Sequence, residues 1–330
     1  MAATALPPVA VVILNWNGWR DTLECLDSLM ESAGVALHVI VCDNASSDES
    51  VIRLRAWADT RFGAQGWTEA GQVPDGAAPR LLPGSVFSLL HNGANLGFAG
   101  GNNPGIVHAL SDPACRYVWL LNNDTVVTPD SLAQAVTRME QDARIGLCGS
   151  TLIYYHERHM IQAYGGAAFS PWKGSSRHVG AFAPSGQIPQ TPEVIEQQLS
   201  YVVGAAMLVR REFIEQVGLM TEDYFLYFEE VDWATRGRGR FTIAYAPGSL
   251  VYHKEGASIG TSASGGSPLS VFYLYRNRLA FTKRRHPVYL PSVLAFCVID
   301  IARLVVRRRW PQAKAAINGL LCAFGPLGAR

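Results

Sequence analysis

The sequence predicts an α/β protein: a mostly parallel central sheet flanked by helices, with a helical carboxyl end. Short, nearly continuous apolar runs alternate with stretches of helical periodicity through the first half of the chain. Each run stops at a polar cluster, and the residues from Tyr273 onward are apolar and basic at once.

The first strand is "VAVVIL" at 9–14, followed by a helix with Trp19, Leu23, Leu26 and Met30 on one face, and the second is "LHVIVC" at 37–42. A third strand is expected at "VFSLL", 86–90, and a helix near 98–110. The fourth strand, "RYVWLL" at 116–121, leads to a helix opening at Pro129. The Gly- and Pro-rich stretch at 60–84 reads as a surface excursion, and strands at 145–155 and 201–210 bracket a polar stretch, 165–198, that suits a loop or flap. Next come a helix at 229–238, a strand at "FTIAYA", 241–246, and a flexible "SIGTSASGGS". There is no internal repeat.

A 330-residue chain that is 48% hydrophobic can bury a large core, which argues against disorder. The net charge of +1 hides an asymmetry, because from Tyr273 onward there are 11 Lys and Arg against one acid, Asp300. The six cysteines form neither a CxxC pair nor a cluster of zinc spacing, as expected of reduced thiols in the cytoplasm. The first residues lack the basic stretch of a secretory signal and read as the entry to the first strand.

The four polar clusters "NWNG", "DNASSD", "HNGANLGFAGGNN" and "NNDT" all stand at strand ends. In open α/β sheets ligands bind at the carboxyl ends of the strands, so the clusters are expected to line one crevice. Asp43 is either a turn residue or an acceptor for a nucleobase or ribose, and "GFAGGNN" lets the backbone approach a ligand closely. Asp124, ending a core strand, is either a turn residue or a ligand. With His253 of "VYHKEG" it offers an oxygen and a nitrogen, enough to hold Mn²⁺ or Mg²⁺ when a diphosphate and water complete the shell.

In "YFLYFEEVDWATR", Glu229 and Glu230 stand among Phe225, Tyr227 and Phe228. Burial there would raise a carboxylate's pKa and make it a proton acceptor near neutral pH. The structural alternative is that both merely favour the positive end of the following helix, with Asp232 and Arg236 as an i,i+4 pair.

Taken in order over residues 8–285, "VVILNWNG", "VCDNASSD", "NGANLGFAGGNN", "WLLNNDTVV", "GAAMLVRREFIEQVG", "FLYFEEVDWATR" and "VYHKEGAS" resemble the family 2 glycosyltransferases, inverting enzymes of GT-A fold, and in particular their rhamnosyltransferase-like branch. The resemblance implies a GT-A domain at 1–272 and a helical appendage at 273–330. By the same resemblance Asn15 and Asp43 contact the nucleoside, Asn95, Asn102 and Asn123 line the nucleotide-sugar site, and Asp124 binds the metal at the diphosphate. Glu230, with Glu229 as the alternative, is the catalytic base, and His253 is a further metal or diphosphate contact. Two departures are visible: the aspartate-rich motif is "NND", leaving one carboxylate for the metal, and the base position holds glutamate where aspartate is common. The implied donor is a nucleoside-diphosphate sugar, dTDP-rhamnose before UDP-hexoses, and the implied acceptor is a glycan or lipid-diphosphate in cell-envelope polysaccharide synthesis. A catalytically silent nucleotide-sugar-binding subunit and a nucleotidyltransferase are the alternatives.

The stretch 288–306 is about long enough to span a bilayer, but Pro291, Asp300 and Arg303 lie within it. An interfacial helix on the cytoplasmic membrane face fits better, with Arg276 and Arg278, like Arg236, as candidate acceptor or diphosphate contacts. Otherwise the basic helices pack on the catalytic domain or face another subunit of a homo-oligomer. No nucleic-acid recognition motif accompanies the positive charge.

Overall fold

The computed structural model describes residues 6–72, 86–254 and 266–324. In chain order the elements are β1 (Val9–Asn15), α1 (Trp19–Met30), β2 (Leu37–Asp43), α2 (Ser50–Phe62), β3 (Thr68–Gly71), β4 (Phe87–His91), α3 (Gly97–Leu110), β5 (Tyr117–Asn122), β6 (Thr125–Val127) and α4 (Ser131–Glu140). There follow β7 (Ile145–Tyr154), β8 (Ile161–Tyr164), β9 (Gly166–Ser170), β10 (Ser175–His178), α5 (Pro192–Glu196), β11 (Tyr201–Val202), β12 (Ala206–Arg210), α6 (Arg211–Val217), α7 (Glu229–Gly237) and β13 (Thr242–His253). Three helices close the chain: α8 (Pro268–Arg285), α9 (Leu290–Val306) and α10 (Trp310–Cys322).

The main sheet runs β3-β4-β2-β1-β5-β12-β7-β13-β6, with β8 beside β7. Its first five strands are parallel, β12 is antiparallel to both neighbours, and β13 again runs parallel to β7. The continuous apolar runs have a direct cause, because side chains alternate between two buried faces. Val11, Ile13, Val41 and Trp119 pack against α1, α2 and α4, while Val12, Ile40, Cys42 and Leu120 pack against α3, α6 and α7. This is the α/β class expected, with the helical carboxyl end.

Parallel register brings the polar strand ends into line: Asn15 lies opposite Asp43, Asp43 opposite His91, and Leu14 opposite Asn122. The alignment of these polar residues is therefore a product of the β1, β2, β4 and β5 pairing.

Three expectations need correction. The stretch 165–198 is not a bare loop, since β9 and β10 form an antiparallel sheet with β11 and the stretch also holds α5. The excursion at 60–84 contributes β3, which pairs with β4 at the edge of the main sheet. The strand expected at 201–210 is broken, with Val203, Gly204 and Ala205 turning the chain between β11 and β12. The flexible reading of 258–267 falls largely on 258–265, outside the described residues.

At the carboxyl end α8 is mostly buried, with Asn277, Leu279 and Phe281 fully enclosed. Helices α9 and α10 pack on it through Val293, Cys297 and Ala316. Much of their remaining apolar surface faces outward, including Val298, Val306, Trp310 and Leu321. By length and composition alone, Pro287–Val306 is able to cross a membrane.

Candidate functional site

One hydrogen-bond chain organises the carboxyl ends of β1 and β2. Asn15 at the tip of β1 donates to Asp43 Oδ1 (2.8 Å) and Ser46 Oγ (3.1 Å), and accepts from Thr22 Oγ1 (2.8 Å). Asn123 in turn donates to Thr22 Oγ1 (3.0 Å). Asp43 receives the Ser46 amide (3.0 Å) and hydroxyl (2.6 Å). Both Asn15 and Asp43 are fully buried, so in this arrangement Asn15 spends its amide on fixing Asp43.

A second set pins the glycine-rich loop. Asn44 donates to Asn95 Oδ1 (3.2 Å) and to the Gly97 carbonyl (3.1 Å), and Asn92 donates to Asn44 Oδ1 (2.9 Å) and the Gly101 carbonyl (3.0 Å). Asn102 is buried and bonds back to the Phe98 carbonyl within α3. Gly97 has φ +73°, and a Cβ there would collide with the Phe225 carbonyl, to which the Phe98 amide donates at 2.8 Å. The loop expected at the nucleotide thus touches the segment that carries the glutamates.

The pairing of β13 with β6 sets His253 opposite Thr125, and the Lys254 amide donates to the Asp124 carbonyl at 2.9 Å. His253 Nε2 consequently lies 3.2 Å from Asp124 Oδ1, while its Nδ1 faces Gln162 Oε1 at 2.9 Å. Burial works to raise the Asp124 pKa, but the His253 imidazole outweighs it and holds the carboxyl below its usual range. With Nδ1 turned to the Gln162 oxygen, Nε2 is the ring atom left for Asp124 or for a cation shared with it, so the pair fits a divalent metal ion held through a partner-fixed histidine. Among the described residues no group of three metal-ligating side chains gathers, so the remaining ligands would have to come from substrate and water.

Glu229 and Glu230 open α7 after three left-handed residues, Phe225 (φ 66°), Tyr227 (φ 67°) and Phe228 (φ 75°). Each such non-glycine conformation costs about 1–3 kcal/mol and persists only where the surroundings enforce it. The two carboxyls meet different environments. Glu229 is fully buried with neither oxygen hydrogen-bonded, and burial, reinforced by the neighbouring Glu230 charge, pushes its pKa far up. Glu230 is half-buried. Its pKa is also raised by burial, but its own backbone N–H and that of Gly204 favour the ionised form. A Cβ on Gly204 would stand 2.5 Å from Glu230 Oε1, so only glycine admits the carboxylate there.

The next residue closes the geometry: the Ala205 carbonyl accepts from the Asn122 amide at 3.0 Å. The 203–205 turn therefore joins Glu230 to the strand end that carries Asp124. Hydrogen bonds thus link Asn15, Asp43 and Asn123, Asn44 holds Asn95 beside them, and the 203–205 turn brings Glu230 toward the strand ends where Asp124 faces His253.

The three arginines are engaged elsewhere. Arg236 pairs with Asp232 (3.1 Å) and donates to the Val217 and Leu219 carbonyls (2.6 Å each). Arg276 donates to the Asp223 carbonyl (2.8 Å) and Asn277 Oδ1 (3.0 Å). Arg278 joins the Lys173 carbonyl to Asp300 (3.0 Å), tying the turn between β9 and β10 to α8 and α9. Sequence reasoning missed Thr22, Gln162, Gly204 and Asn277; only Gly204 lay inside a quoted motif.

Residues 76–218 match the family model described as Glycosyl transferase family 2. Among curated proteins, the chain is 24% identical over 238 residues to the low-salt glycan biosynthesis hexosyltransferase Agl10 of Haloferax volcanii, covering 71% of this chain and 63% of that protein. It is 27% identical over 191 residues to the N-acetylglucosaminyl-diphospho-decaprenol L-rhamnosyltransferase of Mycobacterium tuberculosis, covering 52% of this chain and 60% of that protein. The chain thus spans somewhat over half the length of these relatives. Among solved structures, it superposes on S. aureus TarS 1-349 in complex with UDP-GlcNAc with a TM-score of 0.58 at 11% identity, covering 96% and 80% of the two chains. The mannosyltransferase PcManGT from Pyrobaculum calidifontis, in complex with GDP-Man and Mn2+, gives 0.54 at 17% identity, covering 97% and 86%. Residues 76–218 are thus similar to glycosyl transferase family 2, and the chain shares the α/β fold of these solved glycosyltransferases.

Proposed function

We propose that this protein is an inverting, divalent-metal-dependent glycosyltransferase in which Glu230 is the base. The observation that carries the reading is the 203–205 turn, which brings a half-buried carboxylate beside the strand end where Asp124 faces His253. Glu230 takes the proton of an acceptor hydroxyl as that oxygen bonds to the anomeric carbon, and the opposite bond to the diphosphate breaks. Asp124 and His253 hold the ion, and when bound it supplies Lewis-acid neutralisation of the leaving diphosphate. Asp43, fixed by Asn15 and Ser46, receives the nucleoside, and the loop at 95–103 lies along the nucleotide. One base suffices for inversion, with no covalent intermediate.

The donor we favour is dTDP-rhamnose, with UDP-hexoses behind it, and the acceptor a lipid-diphosphate-linked glycan. The M. tuberculosis relative, named as a rhamnosyltransferase on a diphospho-decaprenol, supports that choice. The outward apolar residues of α9 and α10, with Arg307, Arg308 and Arg309 between the helices, suit an anionic bilayer surface at the cytoplasmic face. Calorimetric titration with each sugar nucleotide, with and without Mn²⁺, tests the donor site. One donor should bind in a metal-dependent way, and Asp124→Ala should remove the metal dependence. Co-sedimentation with anionic but not neutral vesicles tests the surface, and a stable dimer that ignores vesicles would contradict it.

A further inference from the structure

The segment that aims Glu230 is held from outside the sheet. Phe225, Tyr227 and Phe228 are all left-handed, and nothing in their side chains favours that conformation. The constraint comes from α8. Asn277, fully buried, turns its amide nitrogen on three successive parts of the segment: the carbonyls of Tyr224 (2.8 Å), Leu226 (2.7 Å) and Tyr227 (3.2 Å). Its own oxygen accepts from Arg276 Nη1 at 3.0 Å, which fixes the orientation of the amide.

Other contacts from α8 reinforce the clamp without replacing it. Arg276 reaches the Asp223 carbonyl, Arg284 the Asp223 carboxylate (2.7 Å), and Arg285 the buried Asp232 (2.7 Å) in the first turn of α7. Phe281 packs on Phe228. Tyr273 stacks on Phe225 with ring centroids 4.8 Å apart. Among these α8 contacts, the hydrogen bonds to the backbone of 224–227 come from Asn277.

We propose that Asn277 is a positioning residue for Glu230, so that α8 completes the catalytic unit; this rests on Glu230 being the base. Two primary amide hydrogens shared among three carbonyls define one path for the chain between Tyr224 and Glu229. Without them the strained residues can relax toward right-handed values, which rotates the start of α7 and withdraws Glu230 from Gly204.

The test uses the full chain, the donor that the native protein turns over, and the variants Asn277→Ala, Leu279→Ala and Glu230→Gln. Leu279 is equally buried on α8 but packs on α9 and α10, so it controls for lost stability. Asn277→Ala should lower kcat at least about ten-fold with the donor KM within about two-fold, and amide exchange at 224–230 should rise. Leu279→Ala, matched for loss of Tm, should change neither. Asn277→Ser keeps one donor but cannot span three carbonyls; it is read the same way where Asn277→Ala does not fold. Turnover and exchange equal to those of Leu279→Ala would overturn the proposal. If Glu230→Gln keeps full turnover, the assignment of the base fails instead, and exchange at 224–230 still reports whether Asn277 holds the segment.

Discussion

His253 Nε2 stands 3.2 Å from Asp124 Oδ1, and the opposite ring nitrogen of His253 is tied to Gln162 at 2.9 Å. The histidine is therefore oriented from β8, in a stretch that no motif marks. Gln162→Leu should weaken Mn²⁺ binding about 10- to 100-fold while leaving the fold intact, because it frees the ring without removing a ligand. Titration followed by Mn²⁺ electron paramagnetic resonance reads this directly, and unchanged affinity would disconnect Gln162 from the metal.

Glu229 and Glu230 differ in what neutralisation should do to them. Glu229 is buried without a partner and its pKa is pushed far up, so Glu229→Gln puts a neutral group where burial favours one and should keep turnover within a few-fold. Glu230→Gln should lose about 10²- to 10⁴-fold in kcat. Equal losses in both variants would mean that the two carboxyls act as a pair.

The same burial makes a prediction for stability. A carboxyl whose folded pKa lies far above its usual value of 4.5 keeps its proton in the folded state after the unfolded chain has released it. Stability therefore falls as pH rises from about 4.5 toward the folded pKa. Glu229→Gln should unfold at a higher temperature than the native protein at pH 7.5, and the difference should vanish near pH 4. A difference that grows on acidification would contradict the burial.

Asp232 gives the opposite sign. Burial works to raise its pKa, but Arg285, Thr221 and Arg236 together hold it below the usual carboxylate range. Its contribution is present above about pH 4 and lost as pH falls through the depressed folded value. Asp232→Asn should destabilise by about 3 kcal/mol at neutral pH, since it removes the carboxylate with which both Arg285 and Arg236 pair, and by less at low pH. Urea melts at the two pH values decide the matter.

Gly204→Ala places a methyl carbon where Glu230 Oε1 now stands 2.5 Å away and Phe98 Cζ 2.9 Å. The carboxylate must move, and a displacement near 1 Å should lower kcat about 100-fold with little change in donor binding. Donor affinity falling in step with kcat would show that the glycine serves the nucleotide instead.

What the sequence made legible follows from periodicity. β1, β2, β4 and β5 are buried on both faces, so their apolar runs are unbroken and their polar ends stand out as crevice residues. The strands β9 and β10 were not legible, because "GAAFS" and "SSRH" are short, largely uncovered and without alternation. Gln162 and Asn277 were hidden for another reason. Their partners lie 91 and up to 53 residues away, and a lone amide carries no local signal. The partners of the arginines were equally illegible: Arg236, Arg276 and Arg278 donate to backbone carbonyls, and Arg236 and Arg278 also pair with Asp232 and Asp300. The boundary expected at 272–273 falls inside α8.

The most direct measurement is nucleoside-diphosphate release from a panel of sugar nucleotides, with Mn²⁺, Mg²⁺ or chelator, for the native protein, Glu230→Gln and Asp124→Ala, with a lipid-linked acceptor extract supplied. The account predicts release from one donor, abolished by chelator and by both substitutions. Release that survives Glu230→Gln and Asp124→Ala, or that yields pyrophosphate in place of a nucleoside diphosphate, would contradict it.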